Sequence, residues 1–174
     1  MSKTIGIFGG AFDPVHAGHL KIVTDIKKTF VFEKILIIPS GRPVIKKSHF
    51  ANLDNRVKML EIAFNKIKGT NIDKREIFKQ KVSYTVETLE ELHKEYKENQ
   101  HFSFILGQDA FIDFKKWKNW KKILDLCSLI VAKRPNYSFS ESYLNEFKKY
   151  LTLSPSEFLE GHGKIFFTDN TLLD

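Results

Sequence analysis

Apolar and polar positions along the 174-residue chain fall into two alternating patterns. Thr4–Phe8, Lys34–Ile38, His101–Leu106, Ser128–Ala132 and Lys164–Thr168 are short apolar runs with the length of buried strands. Asn71–Phe78 reads as one more strand with a weaker signal. Between the runs, apolar residues recur every three or four positions. Leu20, Val23, Ile26 and Phe30 line one predicted helix face, and Leu53, Val57, Leu60, Phe64 and Ile67 a second. Leu89, Leu92 and Tyr96 mark a third, with Tyr143, Leu144, Phe147 and Leu151 a fourth. Ser83 is a candidate N-cap for the third, and Ser138 with Glu141 forms a capping-box pattern ahead of the fourth. Strand–helix alternation with strands apolar on both faces predicts an α/β fold, a parallel sheet covered by helices on both sides. Ligands of such sheets sit beyond the carboxyl ends of the strands. Gly9, Ser40, Gly107 and Arg134 each follow a predicted strand, so they share that rim.

Length, the lack of repeats and the lack of a Pro/Gly/Ser-rich linker predict a single domain over 1–174. The 42% hydrophobic and 28% charged fractions are those of an ordinary globular protein, but 16 phenylalanines predict an aromatic-rich core. No apolar run approaches the ~20 residues of a membrane span. The apolar start of the chain is too short for a signal-peptide core and runs straight into a glycine turn. The single cysteine, Cys127, rules out an internal disulfide or a Cys-based metal site and reads as a buried small hydrophobe. A cytoplasmic protein without a membrane partner is the expectation. The net charge of +7 favours polyanions, whether nucleic acid, nucleotides or acidic lipid, and does not choose among them.

The chemistry concentrates in Gly9-Gly10-Ala11-Phe12-Asp13-Pro14-Val15-His16-Ala17-Gly18-His19. Glycines after a strand allow a tight turn and close approach of a ligand to the main chain. Pro14 suits the first turn of a helix, whose free N–H groups and positive dipole end attract phosphate. His16 and His19, three residues apart, share a face there, with Gly18 leaving room beside them. Two imidazoles on one face can donate hydrogen bonds to a phosphate chain and offset charge in a phosphoryl-transfer transition state. The spacing is not that of a His-Glu-x-x-His zinc helix, and the turn lacks both the P-loop Lys-Ser/Thr and the dinucleotide Gly-x-Gly-x-x-Gly.

Gly-Gly-x-Phe-Asp-Pro-x-His-x-Gly-His resembles the signature of the nucleotidylyltransferase superfamily, and most closely that of the bacterial nicotinate-nucleotide adenylyltransferases. The resemblance implies a Rossmann-like fold and transfer of the adenylyl group of ATP to nicotinate mononucleotide, with Mg²⁺ accompanying ATP and no protein metal cage. It implies that His16, His19 and Lys46 act on the phosphates. It assigns Gly9, Gly10, Phe12, Gly107, Asp109 and Arg134 to ATP, with Asp109 on a ribose. Tyr84, Thr85 and Trp117 are assigned to the acceptor, with Trp117 stacked on its ring and Trp120 left to the core. The resemblance runs from Ile5 to about Asp174. The family's Ser/Thr-x-x-Arg segment and last helix have no counterpart in this sequence.

Two other readings stay open on the residues alone. One is a sister adenylyltransferase that uses phosphopantetheine or nicotinamide mononucleotide. The other is a nucleic-acid-binding module, for which the Lys/Trp-rich stretch Lys115–Lys122 is the feature.

Overall fold

The computed structural model describes residues 4–41, 51–79, 81–96, 98–134 and 138–169. Six parallel strands form one sheet in the order β3-β2-β1-β4-β5-β6. They are β1 (Thr4–Gly10), β2 (Phe32–Pro39), β3 (Thr70–Ile72), β4 (Phe102–Gly107), β5 (Ser128–Lys133) and β6 (Ile165–Asp169). The crossovers carry α1 (Ala17–Thr29), α2 (Leu53–Phe64), α3 (Thr85–Glu95), α4 (Gln108–Ile112), α5 (Trp120–Leu126), α6 (Glu141–Glu146) and α7 (Pro155–Phe158). This is the doubly wound Rossmann-like order, with its reversal between β1 and β4. Among the described residues no helix is long and apolar enough to cross a membrane.

Alternation along the strands divides the core in two. Ile5, Ile7, Leu36 and Ile38 face α3 and α5 through Leu89, Leu92, Ile123 and Leu124. Phe8, Ile35, Ile37, Ile105 and Ile130 face α1 and α2 through Val23, Ile26, Leu60 and Phe64. The interior is rich in phenylalanine, with Phe102, Phe111, Phe114, Phe147 and Phe158 fully buried. Cys127 is buried as well, its thiol pushed up by burial, with Sγ directed at the Ile123 carbonyl at 3.3 Å.

Four local expectations change. The strand expected over Asn71–Phe78 ends at Ile72. Asp73 N makes one more bond to Ile37 O (2.9 Å), then the Asp73 carboxylate accepts from Arg75 N (3.0 Å) and turns the chain. Helix α3 begins one residue beyond the expected cap. Tyr84 is its N-cap, and the buried Ser83 Oγ finds no partner among the described residues. Ser140, not Ser138, caps α6 and accepts from Tyr143 N at 3.3 Å. Phe139 explains the shift, because its ring packs 5.5 Å from Phe111 and 5.2 Å from Phe167 and so cannot join a solvent-facing helical turn. Leu53 opens α2 on the surface, 38% exposed, while Leu60 and Phe64 are buried as expected.

Candidate active site

The carboxyl ends of β1 and β4 part at the reversal point. Phe8 pairs with Ile105, and the glycine turn and Gly107 leave the sheet on either side of the resulting crevice. An added Cβ at Gly9 would lie 3.3 Å from the Phe104 ring, so the first glycine lets the turn settle onto β4. The chain then passes Phe12, whose φ of 46° costs a non-glycine residue about 1–2 kcal/mol. Burial of its ring, 2% exposed and 5.3 Å from Phe8, offsets that cost.

His16 and His19 are brought together. His16 is the N-cap of α1, and its ring centroid lies 3.9 Å from that of His19. Pro14, expected in the first helical turn, instead precedes the cap, joined to Asp13 by a cis peptide. The His19 ring leans on Phe12 (5.0 Å) and Phe8 (6.0 Å). Burial, with the neighbouring His16 second, lowers its pKa from 6.5 to about 4. His19 is therefore neutral at pH 7. Its Nδ1 accepts the His16 backbone N–H at 3.2 Å, which leaves the proton on Nε2 as a donor. Gly18 has a different role from the one expected. A Cβ there would lie 3.0 Å from His16 Cε1 and Nδ1, so the space it leaves is filled by the His16 ring.

Across the crevice, α4 begins at Gln108. Asp109 and Arg134, two further expected ATP contacts, are ion-paired on the surface through Oδ2 and Nη2. Gln108, which the sequence reading did not single out, is buried, and its Oε1 accepts from Arg134 N at 3.0 Å, fixing the end of β5 to α4. Trp117 is half-buried, edge-on to Phe104 (5.9 Å) and 5.5 Å from Phe114. Phe104 is also the ring beneath Gly9, so the tryptophan and the glycine turn share one support. Trp120 packs instead on Phe114 and Phe147. Tyr84 and Thr85 form the start of α3, which no described side chain caps. Lys118 Nζ sits 4.2 Å over the Tyr84 ring and 2.8 Å from Glu87, holding the Trp117 segment against α3. Lys46 lies outside the described residues.

The second residue absent from the sequence reading is Arg56, a cation with no exposed surface in the first turn of α2. Its Nη1 donates to Ala11 O (2.8 Å) and Ser40 O (2.9 Å), and its Nη2 to Gly41 O (3.5 Å). Burial lowers its pKa, and the nearby Asp13 charge opposes that. The signal was present, because Arg56, Leu60 and Phe64 follow one another at four-residue intervals along the buried row of α2.

The Lys115–Lys122 stretch is not a field of unpaired charge. Lys115 pairs with Glu146, Lys116 with Asp113, Lys118 with Glu87 and Lys122 with Glu90. Among the described residues no group of three or more His, Cys, Asp or Glu is placed to hold a metal ion.

A doubly wound sheet with paired imidazoles at its reversal point defines a nucleotide-transferring class of protein, and residues 7–162 match the model of the Cytidylyltransferase-like family. A Yersinia pestis (strain Pestoides F) protein named "Probable nicotinate-nucleotide adenylyltransferase" is 36% identical over 175 residues, which cover 97% of this chain and 78% of that one. A Psychromonas ingrahamii protein of the same name is 39% identical over 135 residues, covering 78% of this chain and 63% of its own. Among solved structures, Plasmodium falciparum nicotinic acid mononucleotide adenylyltransferase complexed with NaAD has the same fold, with a TM-score of 0.75 at 20% identity, covering 99% of this chain and 78% of that one. The chain belongs to the nicotinate-nucleotide adenylyltransferases within the Cytidylyltransferase-like family.

Proposed function

We propose that the chain transfers the adenylyl group of ATP to nicotinate mononucleotide, giving nicotinate adenine dinucleotide and pyrophosphate. The observation that carries this reading is 36% identity across 97% of the chain to a protein of that name, with the His16–His19 pair in place at the sheet's reversal point.

ATP, with Mg²⁺ held by its own phosphate oxygens and water, lies over the glycine turn. Phe12 contributes through its main chain, since its ring is buried. Asp109 and Arg134 flank the nucleoside from the β4 and β5 side. Nicotinate mononucleotide sits between Trp117 and the start of α3, its carboxylate toward the N–H groups after Tyr84 and Thr85. A phosphate oxygen of the acceptor attacks the α-phosphorus in line. The new P–O bond forms as the bond to the β-phosphate bridging oxygen breaks, and pyrophosphate leaves with the electron pair. The attacking oxygen is already ionised at neutral pH, so no general base is required. Catalysis is then positioning and charge stabilisation. Neutral His19 donates through Nε2 to a phosphate oxygen as charge shifts toward the leaving group.

Pyrophosphate release is measured with ATP and each of nicotinate mononucleotide, nicotinamide mononucleotide and phosphopantetheine. Turnover is expected with the first. Turnover with phosphopantetheine alone would move the chain to a sister activity. His19→Ala should lower kcat by about 100-fold or more, the usual cost of losing one preorganised donor, and leave the acceptor KM nearly unchanged. Because the His19 pKa in the free protein is lowered from 6.5 to about 4, kcat/KM should show no inflection traceable to it between pH 8 and pH 5. A 6.5 inflection that disappears in His19→Ala would contradict the neutral donor.

A further inference from the structure

Among the described residues the hydrogen bonds of Arg56 all go to the two loops that leave β1 and β2 at the rim, and none goes to a residue assigned to the acceptor. Those strands are neighbours, and Ser40 N donates to Gly10 O at 2.9 Å where they end. Further along, Asp13 Oδ1 accepts from Ala51 N at 3.0 Å, and among the described residues no other main-chain bond joins the two loops. The guanidinium fills the gap from below, with the carbonyls of Ala11, Ser40 and Gly41 turned down onto it. A buried carbonyl needs a partner, and a planar fork of five N–H donors serves three at once where an ammonium on a flexible stem does not.

A trans peptide unit is planar, with its C=O and N–H pointing opposite ways. Holding Ala11 O against Arg56 therefore aims the N–H of Phe12 away from the guanidinium. Phe12 is also the residue at φ 46°, so this peptide plane is where the turn departs from ordinary geometry. A Cβ at Gly41 would lie 2.3 Å from Glu76 O, so only glycine fits beside that carbonyl. The Arg56 Nε is buried without a partner among the described residues, and a fold that needed only packing at this position would be served by an apolar side chain.

We propose that Arg56 is a positioning residue for adenylyl transfer, which sets the peptide plane between Ala11 and Phe12 in the glycine turn so that the Phe12 N–H presents to the nucleotide phosphates. The inference rests on the adenylyl-transfer reading for its substrate. Arg56 touches no reacting atom and acts through main chain alone.

Full-length wild type, Arg56→Lys and Arg56→Ala are compared at a temperature where circular dichroism shows each folded. Three readouts are taken: kcat and KM for ATP and nicotinate mononucleotide, the rise in thermal midpoint caused by ATP, and rescue by guanidinium well below its denaturing range. Arg56→Lys keeps the charge and loses the fork. It should lose about 100-fold in kcat per folded molecule, the scale of a small misplacement of reacting groups, with a raised KM for ATP and an unchanged acceptor KM. Guanidinium should restore part of the kcat of Arg56→Ala and none to the wild type. Wild-type kcat in folded Arg56→Lys overturns the proposal, as does failure of both variants to fold at any temperature, which would assign Arg56 to folding alone. A wild type that releases no pyrophosphate with any acceptor refutes adenylyl transfer instead. The ATP-dependent midpoint shift, expected in wild type and lost in both variants, then still decides the role of Arg56.

Discussion

At Gly107 an added Cβ would meet nothing within 4 Å, and the backbone there, φ −74° and ψ 158°, is open to any residue. Neither packing nor conformation asks for glycine at this end of β4. If ATP occupies that open space, Gly107→Ala leaves the thermal midpoint unchanged, as surface substitutions within about 0.5 kcal/mol do, while KM for ATP rises. An unchanged KM would remove Gly107 from the nucleotide site. Gly18 is the opposite case, with the His16 ring pressed where its side chain would be. The two histidines were legible in the sequence because their chemistry and spacing point one way. The tautomer of His19 was not, since it depends on a backbone N–H reaching back across the first turn of α1. Arg56 was legible in its position, four residues before Leu60 on the buried row of α2, but not in its chemistry. A charged residue in a helix reads as solvent-facing, and only the convergence of three carbonyls from two distant loops reverses that reading.

Elements buried on both faces were legible because a short apolar run bounded by turn residues fits little besides a buried strand. The bounds of β1, β2, β4, β5 and β6 differ from those of the predicted strands by at most two residues at either end. β3 was overestimated because it is an edge strand, where side-chain polarity carries little information and the turn at Asp73 decides the length. The start of α6 was misplaced for a tertiary reason. Ser138 with Glu141 fits the capping-box pattern, but the packing of Phe139 against Phe111 and Phe167 moves the cap to Ser140. Urea unfolding separates the two serines. Ser140→Ala should lose about 1 kcal/mol, the ordinary worth of an N-cap, whereas Ser138→Ala should fall within about 0.5 kcal/mol of wild type. Equal effects would mean that α6 is not held by this cap.

Across the whole molecule the two ends of the sheet are built for different purposes. The carboxyl end carries the glycine turn, the His16–His19 pair and Gly107. The amino end is closed by a packed polar cluster. Thr4 Oγ1 bonds His101 Nδ1 and Ser103 Oγ, each at 2.8 Å. His101 Nε2 lies 3.1 Å from Gly161 O, His93 Nε2 lies 2.7 Å from Leu126 O, and His162 Nε2 accepts from Phe102 N at 3.3 Å. The His162 ring is 5.2 Å from that of His101 and 5.4 Å from that of His93. Burial first, then the charges of His101 and His93, lower the His162 pKa from 6.5 to about 4, and burial lowers that of His101. Between those values the unfolded chain binds more protons than the folded one, so protonation favours unfolding. The stability associated with this end is complete above pH 6.5 and is lost as pH falls through 4. An acceptor bond from Phe102 N to His162 Nε2 cannot survive protonation of that nitrogen, which ties the loss to the start of β4 at the centre of the sheet. Urea midpoints should therefore fall from pH 7 to pH 4.5 in the wild type, and the slope should be shallower in His162→Gln whatever its absolute midpoint. His19→Gln removes the corresponding histidine at the carboxyl end and should flatten the slope independently, because the two sites lie at opposite ends of the sheet and share no partner. Parallel slopes in wild type and His162→Gln would show that the acid sensitivity of the fold originates elsewhere.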